Sequence, residues 1–256
     1  TQLARIEYAR NGGRINTDAI DNSAGVDSSD HEVNIKILLN DIVANGDMTQ
    51  KQRNQLLVDM TEEVATLVLK NNYRQTQALS IAISESNYRM GEYRRYIQAL
   101  VADGRLDREL EYIPSDEELV ERISSGKGLV RPELSILLSY TKALLKDELS
   151  RSDLPDDEYI ATEIERAFPQ KLIDRYPEAV HQHKLRREII ATQVAGGLVD
   201  FMGITFVYRM NDASGSGVVD IAKAFIAARD VFDLEHYWQQ IEALDLTVPA
   251  SDQMEM

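Results

Sequence analysis

The sequence predicts a mainly α-helical protein in which a multi-helix domain follows a short α/β segment. Apolar residues recur at spacings of three and four over most of the chain after residue 45, as in amphipathic helices. Only residues 14–21 alternate weakly in the manner of a β-strand. We therefore divide the chain into residues 1–45, which carry the α/β segment, and residues 46–256, which form an all-helical domain.

Composition limits the classes of function. The 256 residues carry 28 Lys and Arg against 43 Asp and Glu, which gives a net charge of −15 and disfavours nucleic acid as a partner. The absence of cysteine excludes disulfides, thiolate nucleophiles and cysteine zinc sites, and we predict no metal site. No uncharged run reaches the roughly 20 apolar residues of a membrane span. We expect a cytoplasmic protein without a membrane partner.

The first 45 residues read as helix, strand, loop and helix. The first helix covers residues 1–10 and ends at Asn11-Gly12-Gly13, where glycine can adopt positive φ. The strand at residues 14–21 is followed by a loop at residues 22–25. Ser29-x-x-Glu32 has the pattern of a capping box, so we expect the next helix to begin at Asp30.

The rest of the chain reads as helices. Thr49-x-x-Gln52 and Ser115-x-x-Glu118 are two more capping boxes, and Pro132 fits a first helical turn. Residues 178–210 predict one buried helix about 50 Å long, in which Asp200 makes a polar contact to another helix. Helices are predicted from residue 50 through Val68 and at residues 74–88, 91–102, 116–123, 132–150, 156–167, 178–210, 217–231 and 234–244.

Residues 16–32 are the most informative stretch. Small and polar residues fill the turn between the predicted strand and the next helix, and ligands bind at such turns in α/β proteins. A helix N-terminus with the hydroxyls of Ser28 and Ser29 would stabilise an anionic ligand. The alternative interpretation is structural, with Asn22 and Gly25 shaping the turn and Ser29 acting as a cap.

Three separated blocks resemble one family. Residues 22–32 (NSAGVDSSDHE) resemble the Asn-x-x-Gly-Val-x-x-Ser-x-x-Glu segment of glutamate dehydrogenases. The longer INTDAIDNSAGVDSSDHEVNIKILLN, together with MTEEVATLVLKNNYRQTQALSIA and MGITFVYRMNDASGSGVVDIAKAFIAARDVF, resembles the very large NAD-specific bacterial branch of that family. The resemblance therefore covers nearly the whole chain.

The resemblance implies roles for individual residues. Asn22 is similar to the residue that contacts the nicotinamide end of NAD, with Gly25 allowing the backbone to approach. Ser29 is similar to the residue that hydrogen-bonds the side-chain carboxylate of glutamate, and Ser28 is its alternative. Ser23-Ala24 departs from the Ala-Gly common in the smaller enzymes. Residues 1–45 would then be the end of a Rossmann-like nucleotide-binding domain in a homo-oligomer that acts on L-glutamate and 2-oxoglutarate.

Several elements of such an enzyme are not recognisable in the sequence. We find no Lys or Asp in the expected catalytic context and no Gly-rich pyrophosphate turn, so we assign no catalytic residue to this chain. The chain also begins with Thr1, as if within a helix. We expect a fragment that is inactive alone and supplies the closing edge of an active site. The alternative is a non-catalytic helical scaffold or a regulatory or oligomerisation module.

Other candidates have plainer interpretations. His181 and His183 are two apart on a predicted helix and read as surface residues, and His31 reads as a solvated first-turn residue. The Asp212–Gly217 segment reads as a turn and cap because it lacks a P-loop lysine. One basic and aromatic cluster could contact a nucleotide or a partner, although its arginines more often pair with acidic neighbours. Its members are Tyr88, Arg89, Tyr93, Arg94, Arg95 and Tyr96.

Overall fold

The computed structural model describes residues 1–255, and within that range the chain contains helices and no β-strand. Two 3-10 helices, Leu154–Asp156 and Ile160–Ala167, occupy the segment where sequence periodicity predicts one helix at 156–167. The α-helices in chain order are α1 (Gln2–Arg10), α2 (Asp18–Asp21), α3 (Ser23–Ala44), α4 (Gln50–Asp59), α5 (Thr61–Glu85), α6 (Met90–Ala102), α7 (Arg108–Glu111), α8 (Asp116–Ser124), α9 (Arg131–Arg151), α10 (Gln170–Arg175), α11 (Pro177–His181), α12 (Arg186–Met202), α13 (Phe206–Ser214), α14 (Val218–Val231), α15 (Leu234–Glu242) and α16 (Ala250–Met254).

Most helix starts and stops follow the local sequence. Helix α4 has the predicted capping box, in which the Thr49 hydroxyl accepts from the Gln52 amide and the Gln52 side chain accepts from the Thr49 amide. The Ser115 hydroxyl caps α8 by accepting from the Glu118 amide at 3.2 Å. Helix α1 ends before Gly12, whose φ is +89°. These signals act within four residues and need no tertiary contact.

The predicted strand at residues 14–21 is wrong. Residues 18–21 form the short helix α2, which Thr17 caps by accepting a hydrogen bond from the Ile20 amide. Arg5 of α1 holds this turn by pairing with Asp18 at 3.0 Å and donating to the Asn16 carbonyl oxygen at 3.0 Å. A strand here would leave its backbone groups unpaired, because residues 1–255 offer no neighbouring strand. The Rossmann-like remnant is therefore not present as predicted.

The start of α3 is also earlier than predicted. The helix begins at Ser23 with Asn22 at the N-cap position, so Ser29 lies in its second turn and not at its start. The predicted capping box of Ser29 and Glu32 does not form. The Ser29 hydroxyl instead donates to the Gly25 carbonyl oxygen, four residues earlier, at 3.3 Å.

The long predicted helices are divided. The run that starts at Gln50 breaks at Met60 into α4 and α5. The predicted helix at 178–210 is three helices, α11, α12 and α13. Gly203, with φ of +91°, ends α12, and α13 leaves at 88° to it. A periodic apolar pattern continues across a bend when both sides of the bend pack on the same core.

Helix α12 lies at the centre of the molecule. It packs against α9, against the 3-10 helix Ile160–Ala167 and against α5, while α3 packs along α5. Leu137 and Leu138 of α9 and Leu198 of α12 have no exposed area, and Val194 is 2% exposed. Among residues 1–255, no single helix is long and apolar enough to cross a membrane. The bent pair of α12 and α13 passes that test of length and composition together.

Candidate functional site

The predicted site residues lie on the N-terminal half of α3. Asn22, Gly25 and Ser29 are spaced by three and four residues and share one face of the helix, and Ser28 adjoins that face. All four residues are exposed. The structure thus brings the four predicted residues together on one accessible surface, although the helix under them begins earlier than the sequence indicates.

The two serines differ in how firmly their hydroxyls are held. Ser28 donates to the Ala24 carbonyl oxygen at 2.7 Å, whereas Ser29 donates to the Gly25 carbonyl oxygen at 3.3 Å. The second distance is long for a hydroxyl donor, so less energy is needed to turn the Ser29 hydroxyl toward another acceptor. Ser29 is the more available donor of the two.

Asn22 and Gly25 are coupled by their geometry. The Asn22 side chain makes no capping hydrogen bond, and its Oδ1 lies 2.8 Å from the place where a Cβ on residue 25 would be. Any side chain at position 25 would therefore displace the Asn22 amide. Gly25 thus leaves the space that the Asn22 side chain occupies over the first turn of α3.

The other face of α3 anchors it to the helical body. The Ser23 hydroxyl donates to Asn72 Oδ1 at 2.6 Å, and Asn71 donates to Asp27 Oδ2 at 3.0 Å, so both contacts join α3 to α5. His31 is 4% exposed, with Nδ1 3.0 Å from the Ala167 carbonyl oxygen. The sequence interpretation of His31 as solvated is wrong, because residue 31 lies in the third turn of α3 and faces the body.

His183 is likewise a buried anchor and not a surface residue. Its Nε2 lies 3.0 Å from the Asn34 carbonyl oxygen of α3, and its Nδ1 accepts from the Leu185 amide. Burial lowers the pKa of His183, so its neutral form is favoured in the folded chain. His181 is partly exposed and its Nε2 lies 2.7 Å from Glu165. The two histidines separate because α11 ends at His181.

A cavity of about 900 Å³ lies between α3, α5, α9, α12 and the 163–173 segment. Asn22, Gly25, Ser28 and Ser29 do not line it. Asp200 does, and its carboxylate pairs with Lys142 of α9 at 2.6 Å. Burial raises the pKa of Asp200. The predicted polar contact of Asp200 between helices is thus confirmed.

Arg74 was missed by sequence reasoning. Its guanidinium lies 4.5 Å from the centre of the Phe201 ring, and Trp238 stacks on Phe201 at 3.9 Å. Arg74 Nε is 3.7 Å from Glu242 and makes no hydrogen bond. No local sequence pattern marks Arg74 as a cavity residue. The only sequence signal for this part of the cavity is Asp200 within an apolar run.

The remaining candidates have structural explanations. Arg89 pairs with Glu85 and Glu92, and Tyr93 and Tyr96 are buried, so these three members of the basic and aromatic cluster have structural roles, whereas Tyr88 and Arg95 are exposed. Gly215, with φ of +72°, follows α13 and forms the turn predicted for residues 212–217. Within residues 1–255 no group of three or more His, Cys, Asp or Glu side chains is arranged to hold a metal ion.

Comparison with known proteins gives consistent matches along the chain. Residues 126–256, slightly over half of the chain, match the model of the C-terminal region of glutamate dehydrogenase. Residues 1–82 match the model of the catalytic domain of bacterial NAD-glutamate dehydrogenase.

Relatives from three bacteria match almost every residue of the chain. NAD-specific glutamate dehydrogenases from Halomonas elongata and Pseudomonas aeruginosa are each 55% identical, over 100% and 99% of the chain. The enzyme of that name from Mycobacterium tuberculosis is 40% identical over 99% of the chain. The chain spans 16% of the length of each relative. It therefore belongs to the family of bacterial NAD-specific glutamate dehydrogenases.

Proposed function

We propose that this chain is one part of an enzyme that oxidises L-glutamate to 2-oxoglutarate and ammonia while NAD is reduced. The observation that carries the proposal is the shared exposed face of Asn22, Gly25 and Ser29, within the segment that matches the catalytic-domain model. The chain contributes an edge of the substrate and cofactor site. The catalytic Lys and Asp and the pyrophosphate turn come from other parts of the enzyme.

The chemistry of this edge suits glutamate. In the proposed complex the Ser29 hydroxyl leaves the Gly25 carbonyl oxygen and donates to the side-chain carboxylate of the substrate. Its long intrahelical hydrogen bond of 3.3 Å makes this exchange easier for Ser29 than for Ser28. A hydrogen bond to a carboxylate is stronger than one to a neutral carbonyl, so the exchange is favourable.

The residues present also fit a contact with NAD. The Asn22 amide is exposed and free of a capping bond, and Gly25 leaves the space that this amide occupies. When bound, NAD supplies the hydride acceptor. Asn22 would hold and orient the nicotinamide end by hydrogen bonds from its side-chain amide, and Gly25 would leave the room that this amide needs.

We propose that the boundary between the two parts of the chain lies at residue 45. Helix α3 ends at Ala44 and Gly46 adopts a φ of +84°, so the chain turns there. Residues 1–45 would carry the edge of the active site, and residues 46–256, whose first part to residue 82 still matches the catalytic-domain model, would support it as a helical domain. We also propose that the full-length protein forms a homo-oligomer through this helical domain. In the alternative function, a scaffold or oligomerisation module, this would be the main role of the chain.

The assignment of Ser29 is tested in the full-length enzyme with Ser29→Ala, Ser29→Asp and the neighbouring control Ser28→Ala. Loss of a hydrogen bond to a charged group changes kcat/KM for glutamate by roughly tenfold to a hundredfold. Ser29→Asp should be worse, because it brings a second negative charge to the substrate carboxylate. Normal kinetics in Ser29→Asp would remove Ser29 from the substrate site.

The isolated chain gives a second test. We expect no NADH formation from glutamate and NAD by the purified 256-residue chain, under conditions in which the full-length enzyme is active. Turnover by the isolated chain at a comparable rate would show that the proposed division of catalytic groups is wrong.

A further inference from the structure

One side chain of α9 reaches the segment that precedes α3. The Arg131 guanidinium donates from Nε to Asn16 Oδ1, from Nη1 to Ser80 Oγ at 3.0 Å and from Nη2 to the Thr76 carbonyl oxygen at 3.0 Å. These three acceptors are neutral, so the contact depends on the fixed geometry of the guanidinium donors. Ser80 and Thr76 belong to α5, and Arg131 therefore holds Asn16 against α5 and α9 together.

Asn16 in turn contacts α2. Its Nδ2 donates to Asp21 Oδ1 at 3.0 Å, and its carbonyl oxygen accepts from Arg5 at 3.0 Å. Arg5 also pairs with Asp18 and Asp21, so both ends of α2 are held. A helix of four residues is not stable by itself, and α2 therefore needs contacts of this kind.

Asn22 lies at the junction of α2 and α3. It follows the last residue of α2 and is the N-cap of α3. Its backbone amide donates to the Asp18 carbonyl oxygen at 2.9 Å, so its position depends on the geometry of α2. The Ser23 hydroxyl donates to Asn72 of α5 and fixes the start of α3. Asn22 thus lies between two restraints, one of which begins at Arg131.

The later turns of α3 are held by other contacts. Asp27 and His31 are each hydrogen-bonded to the helical body, and Ser29 lies between them in sequence. Loss of the Arg131 contact should therefore displace Asn22 and leave Ser29 in place.

We propose that Arg131 is a positioning residue for the cofactor contact. Through Asn16 and α2, it holds the Asn22 side-chain amide where this amide meets the nicotinamide end of NAD. This role of Arg131 rests on the proposed function, which assigns the contact with NAD to Asn22. Arg131 lies in residues 126–256 and Asn16 in residues 1–82, so the C-terminal region would act on an edge of the active site that belongs to the catalytic domain.

The first test measures initial rates of the full-length enzyme with NAD and with glutamate as the varied substrate. Arg131→Lys keeps the positive charge but cannot reproduce the guanidinium geometry. We expect the KM for NAD to rise roughly fivefold and the KM for glutamate to stay unchanged. An equal rise in both values would indicate a general structural role and overturn the proposal.

Arg187→Lys is the matched control. Arg187 also donates to backbone carbonyl oxygens, but its partners all lie within residues 150–156. Its replacement should leave both KM values unchanged. A rise in the KM for NAD equal to that in Arg131→Lys would contradict a specific role of Arg131.

A double mutant tests whether Arg131 acts through Asn16. Asn16→Ala removes both the acceptor for Arg131 and the donor to Asp21, so the KM for NAD should rise at least as much as in Arg131→Lys. If the two residues belong to one chain of contacts, Arg131→Lys should add little to the effect of Asn16→Ala. Effects that multiply in the double mutant would show that Arg131 acts independently of Asn16, against the proposal.

Hydrogen exchange in the full-length protein gives a readout that does not depend on the cofactor. The amides of Asp21 and Asn22 donate to the carbonyl oxygens of Thr17 and Asp18. In Arg131→Lys these two amides should exchange about fivefold faster, whereas those of residues 31–42 in α3 should not change. Unchanged exchange at Asp21 and Asn22 would overturn the positioning role, even with an altered KM for NAD.

Asn22→Ala separates the role of Arg131 from the proposed function. If the KM for NAD rises in Asn22→Ala but not in Arg131→Lys, the cofactor contact stands and the role of Arg131 is wrong. If the KM for NAD does not change in Asn22→Ala, the cofactor contact itself is wrong and the role of Arg131 falls with it. A rise in both variants, with faster exchange at Asn22 in Arg131→Lys, is the result that we expect.

Discussion

The first turns of α3 and the last turns of α12 are both rich in small residues, but they are built for different surroundings. In α3, Gly25 and Ser29 are exposed, and the Ser29 hydroxyl bonds only to its own backbone. In α12, Gly196 lines a cavity and Asp200 pairs with Lys142 of the neighbouring helix. One region presents polar groups outward, and the other encloses them.

The two glycines show what separates these regions. A Cβ at position 25 would lie 2.8 Å from Asn22 Oδ1, while a Cβ at position 196 would meet nothing within 4 Å. Gly25 is explained by a contact within its own helix. Gly196 has no such contact, because the space in front of it belongs to the cavity. A glycine in a helix therefore has no single meaning, and its neighbours decide the interpretation.

The largest difference between the two regions should be in stability. Leu198 in α12 has no exposed area, so Leu198→Ala should lower the free energy of unfolding by about 3 kcal/mol through lost burial and a new cavity. Urea unfolding of the chain measures this effect. Val33→Ala, at a half-exposed position of α3, is the control and should cost less than about 1 kcal/mol. Equal losses would contradict the assignment of α12 as the central helix.

The next effect should appear in cofactor binding. Gly25→Ala forces the Asn22 amide to move, so in the full-length enzyme we expect the KM for NAD to rise about tenfold. Stability should not fall, because alanine favours helix and the displaced Asn22 side chain is exposed. Gly91→Ala in α6 is the matched control. An unchanged KM for NAD in Gly25→Ala would remove Asn22 from the cofactor site.

Capping-box patterns predicted the helix starts correctly where the residue before the helix has an extended backbone. Thr49 and Ser115 have ψ of 157° and 168°, and both act as caps as the sequence predicts. Ser29 has the same pattern but lies inside a helix, because Ser23 and Asp27 pack on α5 and extend α3 toward the N-terminus. A four-residue capping-box pattern cannot reveal contacts between residues that are about 45 positions apart in sequence.

The site was predictable only in part for the same reason. The resemblance to a family selected Asn22, Gly25 and Ser29, and their spacing of three and four places them on one helix face. Arg74 and Lys142 could not be found, since they come from α5 and α9 and line the same cavity only in the folded chain. Asp200 indicated a buried partner without identifying it.

A smaller effect should follow from the attachment of α3 to the body. Burial lowers the pKa of His183 from its ordinary value of 6.5, while the hydrogen bond to the Asn34 carbonyl oxygen and the charge of Asp41 oppose this shift and Lys184 adds to it. The stabilisation from neutral His183 is present above pH 6.5 and is lost as pH falls through the lowered pKa. Urea unfolding at pH 7.5 and 5.5 should therefore show a larger loss in the wild-type chain than in His183→Gln. The exposed His236→Gln should behave as the wild type.

The smallest expected effect is also the one that separates two interpretations of Ser29. If Ser29 were a helix cap, Ser29→Ala would cost about 1 kcal/mol of stability. In the structure Ser29 lies in the second turn of α3, is exposed and bonds only to the Gly25 carbonyl oxygen, so alanine should stabilise the chain by a few tenths of a kcal/mol through helix propensity. Thr49→Ala, at a true capping box, should show the full cost in the same urea titration. The two interpretations predict changes of opposite sign in the free energy of unfolding, so even a small change distinguishes them. If Ser29→Ala lowered the free energy of unfolding as much as Thr49→Ala does, α3 would have to begin at Asp30.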